Sequence, residues 1–308
     1  MYFPYVSIIV PVLNEAENIS ECLKSLLCQS YPRELYEIIV VDNGSIDGSV
    51  SISRNYADMV LVKEGVKVGA VRNFGVKRAK GEIVAFIDGD CVASATWLSS
   101  AVDFLSKENV GAVGGGCLLR ENPSWVERGW KLNSSRLTGR VKSLAGGSFI
   151  LKKEIFEKLG GFNERINAGE DTKLSVDIKS LGLELWFIDQ CYVVHLGYPS
   201  TLRGFLRREF WHASSYLKSN NGSKDKMFIT VLIFFVSVLS LFVYIFTGYS
   251  FALWGASFVI LFPIVFFVNQ VRTQGVKDVP IASLFYSLVL SFVYYIGRMG
   301  GLARSLFK

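Results

Sequence analysis

A mostly parallel α/β sheet followed by a transmembrane helical segment is the architecture that this 308-residue sequence predicts. Three observations carry it. Short apolar runs alternate with amphipathic segments over the first half, three of those runs end in acidic or amide side chains, and the last quarter holds long stretches without a charge.

Val6 to Val10 reads as the first buried strand, stopped by Pro11. The Asn14-Glu15-Ala16-Glu17-Asn18 segment then opens an amphipathic helix with Ile19, Cys22, Leu23, Leu26 and Leu27 on one face. Tyr36 to Val41 is the next strand and ends at Asp42. The turn Asn43 to Ser49 leads into a helix from about Val50, and Met59 to Val62 is a short strand. A helix through Ala70 to Ala79 precedes the apolar run from Ile83, which ends in Asp88-Gly89-Asp90. This β-α-β-α-β order argues for right-handed crossovers and parallel pairing.

Open α/β sheets bind ligands at the carboxyl ends of their strands. Asn14 with Glu15, Asp42, and Asp88 with Asp90 should therefore converge on one crevice. Asp88-Gly89-Asp90 alone also suits a hairpin turn, but three acidic strand ends on one edge suit a divalent cation. Oxygen ligands favour Mn²⁺ or Mg²⁺. No G-x-G-x-x-G follows the first strand and no phosphate loop of the G-x-x-x-x-G-K-[ST] type is present. Asp42, as an ionised carboxylate, is suited to accept the imide N–H of a uracil or another base donor, or else to cap its own turn. Arg72 offers a positive fork to a carboxylate or phosphate, or else lies solvated on a helix face.

Residues 228–247, 251–268 and 281–297 carry no charged side chain. The first two are long enough to cross a bilayer, for which a helix needs about 20 residues. The third, near the lower limit, reads as a span, a re-entrant helix or an interfacial helix, and the reading favoured is two spans plus an embedded or interfacial third helix. Its Ser283, Ser287, Ser291, Tyr294 stripe predicts packing against another helix.

Net charge is +6, with +4 in residues 202–226, +4 in 227–308 and −2 in the first 201. The basic excess therefore lies beside the membrane segments, which points to membrane lipids as a partner and excludes a nucleic-acid footprint. Positive residues near the spans, among them Arg272 and Lys277, place the amino-terminal domain in the cytoplasm of a multi-pass cell-membrane protein. The domain limits expected are 1–215, a basic juxtamembrane linker over 216–227 and a membrane domain over 228–308. No secretory signal is read in Met1 to Val10, and the five cysteines form no C-x-x-C pair, as expected for reduced thiols.

VSIIVPVLNEAENI, IIVVDNGSIDGS, GAVRNFGVKRAKGEIVAFIDGDC and GGFNERINAGEDTKLSVDIKSLG, in this order, resemble family 2 glycosyltransferases of the GT-A fold, a Rossmann-like architecture. The resemblance covers about residues 5–215 and departs at Asn43, where many members have a second aspartate. It implies an inverting, metal-dependent transfer from a UDP- or GDP-linked nucleotide sugar. By that resemblance Pro11, Leu13, Glu15, Asp42, Arg72, Asp88 and Gly89 line the donor-nucleotide site, and Asp90 binds the metal. Asp171 matches the general base, which an inverting displacement needs to take the acceptor's proton. Gly147, Ser148 and Glu170 belong on the acceptor side. His195 reads as a further metal ligand, a diphosphate donor or a structural histidine. Arg207, Arg208 and Trp211 read as phosphate or lipid head-group contacts, or as positive-inside anchors.

The expected activity is transfer of one sugar to a hydroxyl acceptor on a lipid-linked glycan. A polyprenyl-phosphate sugar synthase is the rival; its acceptor is already an anion, and Glu170-Asp171 favours the first. A processive synthase would resemble its kin in a Q-x-x-R-W motif, which Arg208-Glu209-Phe210-Trp211 does not match. An inactive membrane scaffold or sugar-nucleotide sensor would lack the carboxylates that Asp88, Asp90 and Asp171 supply.

Overall fold

The computed structural model describes residues 3–132, 137–166, 169–213, 226–274 and 279–306. The chain divides into two compact units, residues 1–120 with 136–197, and residues 121–135 with 198–308.

The first unit is built on β1 (Val6–Val12), β2 (Tyr36–Asp42), β3 (Met59–Val62), β4 (Ile83–Phe86), β5 (Cys91–Ala93), β6 (Val110–Gly114), β7 (Cys117–Leu118), β8 (Gly139–Arg140), β9 (Phe149–Lys152), β10 (Glu184–Phe187) and β11 (Val193–His195). Its helices are α1 (Ile19–Leu27), α2 (Ser49–Ser53), α3 (Val68–Val76), α4 (Trp97–Leu105), α6 (Lys153–Lys158) and α7 (Glu170–Ser180); α5 (Trp125–Trp130) lies in the second unit. Eight strands form one sheet in the order β3-β2-β1-β4-β9-β6-β10-β8. Strands β3, β2, β1 and β4 are mutually parallel, and β9 runs antiparallel to both β4 and β6. A second sheet has the order β5-β11-β7.

Strands β1, β2, β4 and β6 are buried on both faces, which is why they read as continuous apolar runs. Successive side chains point to opposite faces. Ile8, Val10, Ile38, Val40 and Ala85 therefore pack with Ile19, Leu23, Trp97 and Leu98, whereas Ile9, Ile39, Val41, Val84 and Phe86 pack with Val71, Phe156, Phe162 and Leu174.

Three local expectations need correction. Strand β1 runs through Pro11, which pairs with Val41, to Val12 opposite Asp42. β4 pairs with β1 only as far as Ile9, so Pro11 sits where one side of the strand has no ladder partner and its missing N–H costs little. Leu27 is exposed, because α1 ends there while Ile19, Cys22, Leu23 and Leu26 form the buried face. α3 ends at Val76, so Ala79 lies beyond it.

The second unit contains α5, α8 (Leu202–Ala213), α9 (Lys226–Thr247), α10 (Phe251–Ala256), α11 (Phe258–Thr273) and α12 (Ile281–Leu306). Two of its segments, 121–135 and 198–213, fall inside the 1–215 domain expected from sequence. They join this unit because Val126 of α5 and Phe205 of α8 pack with Phe234, Leu290, Tyr294 and Tyr295. Among the described residues three helices are long and apolar enough to cross a membrane: Met227–Thr247, Leu253–Thr273 and Ile281–Ser305. The third extends well past position 297, so length no longer argues against a span. In its most apolar window 39% of residues are buried against neighbours, compared with 17% in each of the others. Much of its apolar surface therefore serves helix packing, and Ser283, Ser287, Ser291 and Tyr294 are all buried as the stripe predicted. The second apolar run is interrupted at Ser257 and carries Pro263 within α11. Most of the linker over 216–227, with Lys218 and Lys224, lies outside the described residues, as do Lys277 and Lys308.

Candidate active site

The carboxyl ends of β1, β2 and β4 meet on one edge of the first unit, and the side chains there interlock. The turn after β2 clamps the turn after β1. Ser45 Oγ accepts the Asn14 N–H at 2.8 Å, Ser49 Oγ accepts the Glu15 N–H at 2.8 Å, and Asp47 Oδ2 accepts the Ala16 N–H at 3.1 Å. In return Asn14 Oδ1 accepts the Ile46 N–H at 2.9 Å. Asn14 adopts φ +56°, a left-handed backbone that asparagine tolerates better than most residues. Ser45, Asp47 and Ser49 were not singled out from sequence, although a D-x-S turn facing a strand end is the available signal.

Asp42 is buried, and its Oδ2 accepts the N–H groups of Gly44 and Ser45, both at 2.9 Å. Capping of its own turn is therefore observed, yet Oδ1 has no partner among the described residues. Leu13 is about half exposed, and Glu15 is partly buried. Burial raises the Glu15 carboxyl above the ordinary range; the Asn18 amide opposes this, and Asp90 and Asp88 add to it.

Arg72 lies on α3 and is only 3% exposed, so it is not a solvated helix-face arginine. Its Nη2 donates to Asp88 Oδ1 at 2.7 Å and its Nη1 to Glu170 Oε1 at 2.5 Å. Burial pulls its pKa down, but the two carboxylates outweigh that and the net shift is upward. One planar guanidinium thus ties the end of β4 to the start of α7. Gly146 lies against the guanidinium, and Gly147 lies beside Asp88 and Cys91.

Asp171 follows Glu170 in the first turn of α7. Its Oδ2 accepts the Gly146 N–H at 2.9 Å and its Oδ1 the Thr172 N–H at 2.6 Å. Ser148, by contrast, is fully buried. Its hydroxyl accepts from Trp97 Nε1 at 2.9 Å and from the Gly115 N–H at 3.1 Å, and donates to the Cys191 carbonyl at 3.1 Å. It holds the 145–148 loop in place from behind.

Asp90 and His195 meet across the β5–β11 pairing, with His195 Nε2 3.5 Å from Asp90 Oδ2. The Leu196 N–H donates to the Asp90 carbonyl at 2.8 Å. Ligand atoms of Asp90, Cys91 and His195 all lie within 4.8 Å of one another. Burial holds the Asp90 carboxyl above the ordinary range, with His195 opposing and Asp88 reinforcing. A carboxylate that is costly to ionise beside an imidazole fits a divalent cation, and Mn²⁺ or Mg²⁺ would be held by Asp90 and His195. Burial likewise pushes the thiols of Cys22 and Cys91 upward and that of Cys191 to about 12, which favours the protonated thiol at each.

Arg207, Arg208 and Trp211 lie on α8 in the second unit. Arg207 and Trp211 are exposed, and Arg208 pairs with the buried Glu209 at 3.0 Å. Arg298 of α12 also pairs with Glu209, at 2.9 Å.

Comparisons with known proteins agree with this geometry. The profile described as "Glycosyl transferase family 2" matches residues 7–160. Glycosyltransferase AglE of Haloferax volcanii is 32% identical over 212 residues, covering 64% of this chain and 68% of that relative. The poly(ribitol-phosphate) beta-glucosyltransferase of Bacillus spizizenii is 41% identical over 111 residues, which are 34% of this chain but only 17% of the relative. Among solved structures, a mannosyltransferase from Pyrobaculum calidifontis in complex with GDP-Man and Mn²⁺ aligns over 100% of this chain and 88% of its own, with TM-score 0.60 and 21% identity. S. aureus TarS 1–349 in complex with UDP aligns over 96% of this chain and 90% of its own, with TM-score 0.51 and 18% identity. The acidic strand ends, the sheet order and the profile match together make this chain a member of glycosyl transferase family 2, with a GT-A catalytic fold.

Proposed function

We propose that the protein is a membrane-anchored inverting transferase that moves one sugar from a nucleotide-diphosphate sugar to a hydroxyl acceptor on a lipid-linked glycan. The observation that carries this reading is the Arg72 bridge, which joins donor-side Asp88 to Glu170 and so holds Asp171 beside the acidic strand ends.

In this reading Pro11, Leu13, Glu15, Asp42, Asp88 and Gly89 form the nucleotide site. Arg72 supports it by orienting Asp88 and leaves the phosphates to other groups. Asp90 and His195 hold a Mn²⁺ or Mg²⁺ ion, which when bound would offset charge developing on the departing diphosphate. Asp171 accepts the proton of the acceptor hydroxyl as that oxygen attacks the anomeric carbon from the face opposite the leaving group. The Gly146 and Thr172 amides hydrogen-bond both Asp171 oxygens and fix the carboxylate at the start of α7. The basic residues flanking the apolar helices favour a catalytic unit in the cytoplasm and a membrane-borne acceptor. A relative that glucosylates poly(ribitol-phosphate) is consistent with a hydroxyl acceptor.

The paired Arg208 and Arg298 around Glu209 give the rival reading, a polyprenyl-phosphate acceptor, its own support. Purified protein incubated with nucleotide sugars, Mn²⁺ and membrane lipid extract, followed by mass measurement of the product, tests both. Asp171→Asn should abolish transfer to a hydroxyl while preserving nucleotide binding. Full transfer by that variant would exclude the hydroxyl-acceptor reading, because a phosphate acceptor needs no strong base.

A further inference from the structure

We propose that Asn73 is a positioning residue for the transfer step: through the turn at Phe162 it fixes where Asp171 stands relative to Asp88. This rests on the transferase reading above, in which Asp171 takes the acceptor's proton.

Asn73 follows Arg72 on α3 and is only 8% exposed. Its side chain pairs with the backbone of Phe162 as a neighbouring strand would. Oδ1 accepts the Phe162 N–H at 2.9 Å, and Nδ2 donates to the Phe162 carbonyl at 2.9 Å and to Glu164 Oε1 at 2.9 Å. Both amide protons and the oxygen are engaged, and aspartate, which matches the shape, has no donor to offer when ionised. The turn is built to reach this amide. Gly160 and Gly161 adopt φ +77° and +78°, and a Cβ on Gly161 would lie 2.7 Å from Asn73 Oδ1. Gly69, one helical turn before Asn73, lets the Asn163 carbonyl oxygen and Phe162 Cβ come within 3.3 Å of where its own Cβ would stand.

Phe162 carries the hold onward. Its ring packs against Phe86 and Phe156 at centroid distances of 4.9 and 5.4 Å, and the Arg72 guanidinium carbon lies 5.4 Å from its centroid. Arg72 in turn holds Glu170, and the next residue is Asp171. Two consecutive residues of α3 therefore grip both ends of the segment that leads into α7: Asn73 at Phe162 and Arg72 at Glu170. Asp171 cannot shift against Asp88 unless one grip opens, and a displacement of about 1 Å near the reacting groups can cost about 100-fold in rate. The Arg72 grip carries buried charge. The Asn73 grip is neutral and touches neither Asp88 nor Asp171, so its loss should misplace the base while sparing the nucleotide edge.

The test is steady-state kinetics on the purified full chain in detergent, with Mn²⁺, membrane lipid extract and UDP-glucose, UDP-N-acetylglucosamine or GDP-mannose as donor, alongside binding of UDP and GDP. Asn73→Asp sets a carboxylate against the Phe162 carbonyl and Glu164. It should lower kcat about 100-fold, while KM for the nucleotide sugar and the affinity for free nucleotide stay within about twofold. Adding Glu164→Gln supplies an amide that can donate to the new carboxylate, and should restore kcat about tenfold, the worth of one hydrogen bond to a charged group. A wild-type kcat in Asn73→Asp, a fall in kcat matched by an equal loss of nucleotide binding, or no rescue by Glu164→Gln overturns the inference and leaves the transferase reading standing. Absence of turnover of every donor by the wild-type chain overturns both. Should Asn73→Asp not fold, Asn73→Gln decides by the same split, since it keeps donor and acceptor on a longer side chain; a wild-type kcat there overturns the inference.

Discussion

Gly197 lies so close to Asp90 that a methyl group on its Cα would overlap Asp90 Oδ2. The glycine is what lets the chain leaving β11 pass over the Asp90 carboxylate. Gly197→Ala should therefore push Asp90 away from His195 while leaving the sheet intact. Mn²⁺ affinity, measured by electron paramagnetic resonance, should fall about 10- to 100-fold, the range seen when groups that position metal ligands are changed. Unaltered Mn²⁺ binding would remove Asp90 from the ligand set.

Arg72 is the only side chain described as bonding both Asp88 and Glu170. Arg72→Ala would leave Glu170 buried and without that partner, and breaking a buried pair from one side costs about 3–5 kcal/mol. A lowered melting temperature and denaturant midpoint are expected. Arg72→Lys should rescue little, because one ammonium cannot reproduce the two-pronged geometry.

Glu15 supplies a pH dependence. Burial, with Asp90 and Asp88 nearby, raises its carboxyl in the folded protein, so the folded state holds that proton more tightly than the unfolded chain does. Below the ordinary glutamate range both states are protonated and Glu15 is neutral in its effect. As pH rises through that range, the unfolded chain ionises first and stability falls, until the folded group ionises too. Glu15→Gln should thus stabilise the metal-free protein at neutral pH, and the gain should vanish at about pH 3, below the ordinary glutamate value. Thermal melts of both proteins across that window check the sign; a gain independent of pH would show that charge is not the cause.

On α12, Gly297, Gly300 and Gly301 face α8. A Cβ at 301 would overlap the Phe210 carbonyl oxygen, and one at 297 would lie 3.0 Å from Glu209 Cβ. Small residues let helix backbones approach in membranes. Gly301→Ala should destabilise this helix pair by about 1–3 kcal/mol, the usual cost of overpacking. The measurement is the melting temperature in detergent, with loss of the Arg298 to Glu209 pairing as a second consequence.

The acidic edge of the sheet is legible in sequence because its signals are local. Alternation of apolar runs marks β1 to β4 along the chain, and the acidic or amide side chains after β1, β2 and β4 mark the sheet edge. The pairing of Arg72 with Asp88 and Glu170 is not legible in that way. It joins positions 98 residues apart, and helix periodicity alone leaves an arginine as free to face solvent as to turn inward. Gly197 is equally silent, since only the approach of Asp90 gives it meaning. The division into units escapes for a similar reason: α5 and α8 are short and amphipathic, and only their apolar partners, Leu290 and Tyr294 among them, reveal where they belong. Pro11 misleads through a rule that holds for strands flanked on both sides, which β1 is only as far as Ile9.

The clamp formed by Ser45, Asp47 and Ser49 on residues 14–16 has a kinetic side. A loop already tied down when a ligand arrives has met its ordering entropy during folding, and association need not wait for it to close. Encounter at this edge is then set by diffusion and by charge. With Glu15, Asp88 and Asp90 gathered there, a dianionic nucleotide approaching without a cation meets repulsion, so the order in which metal and nucleotide arrive becomes a property of the rates as much as of the affinities.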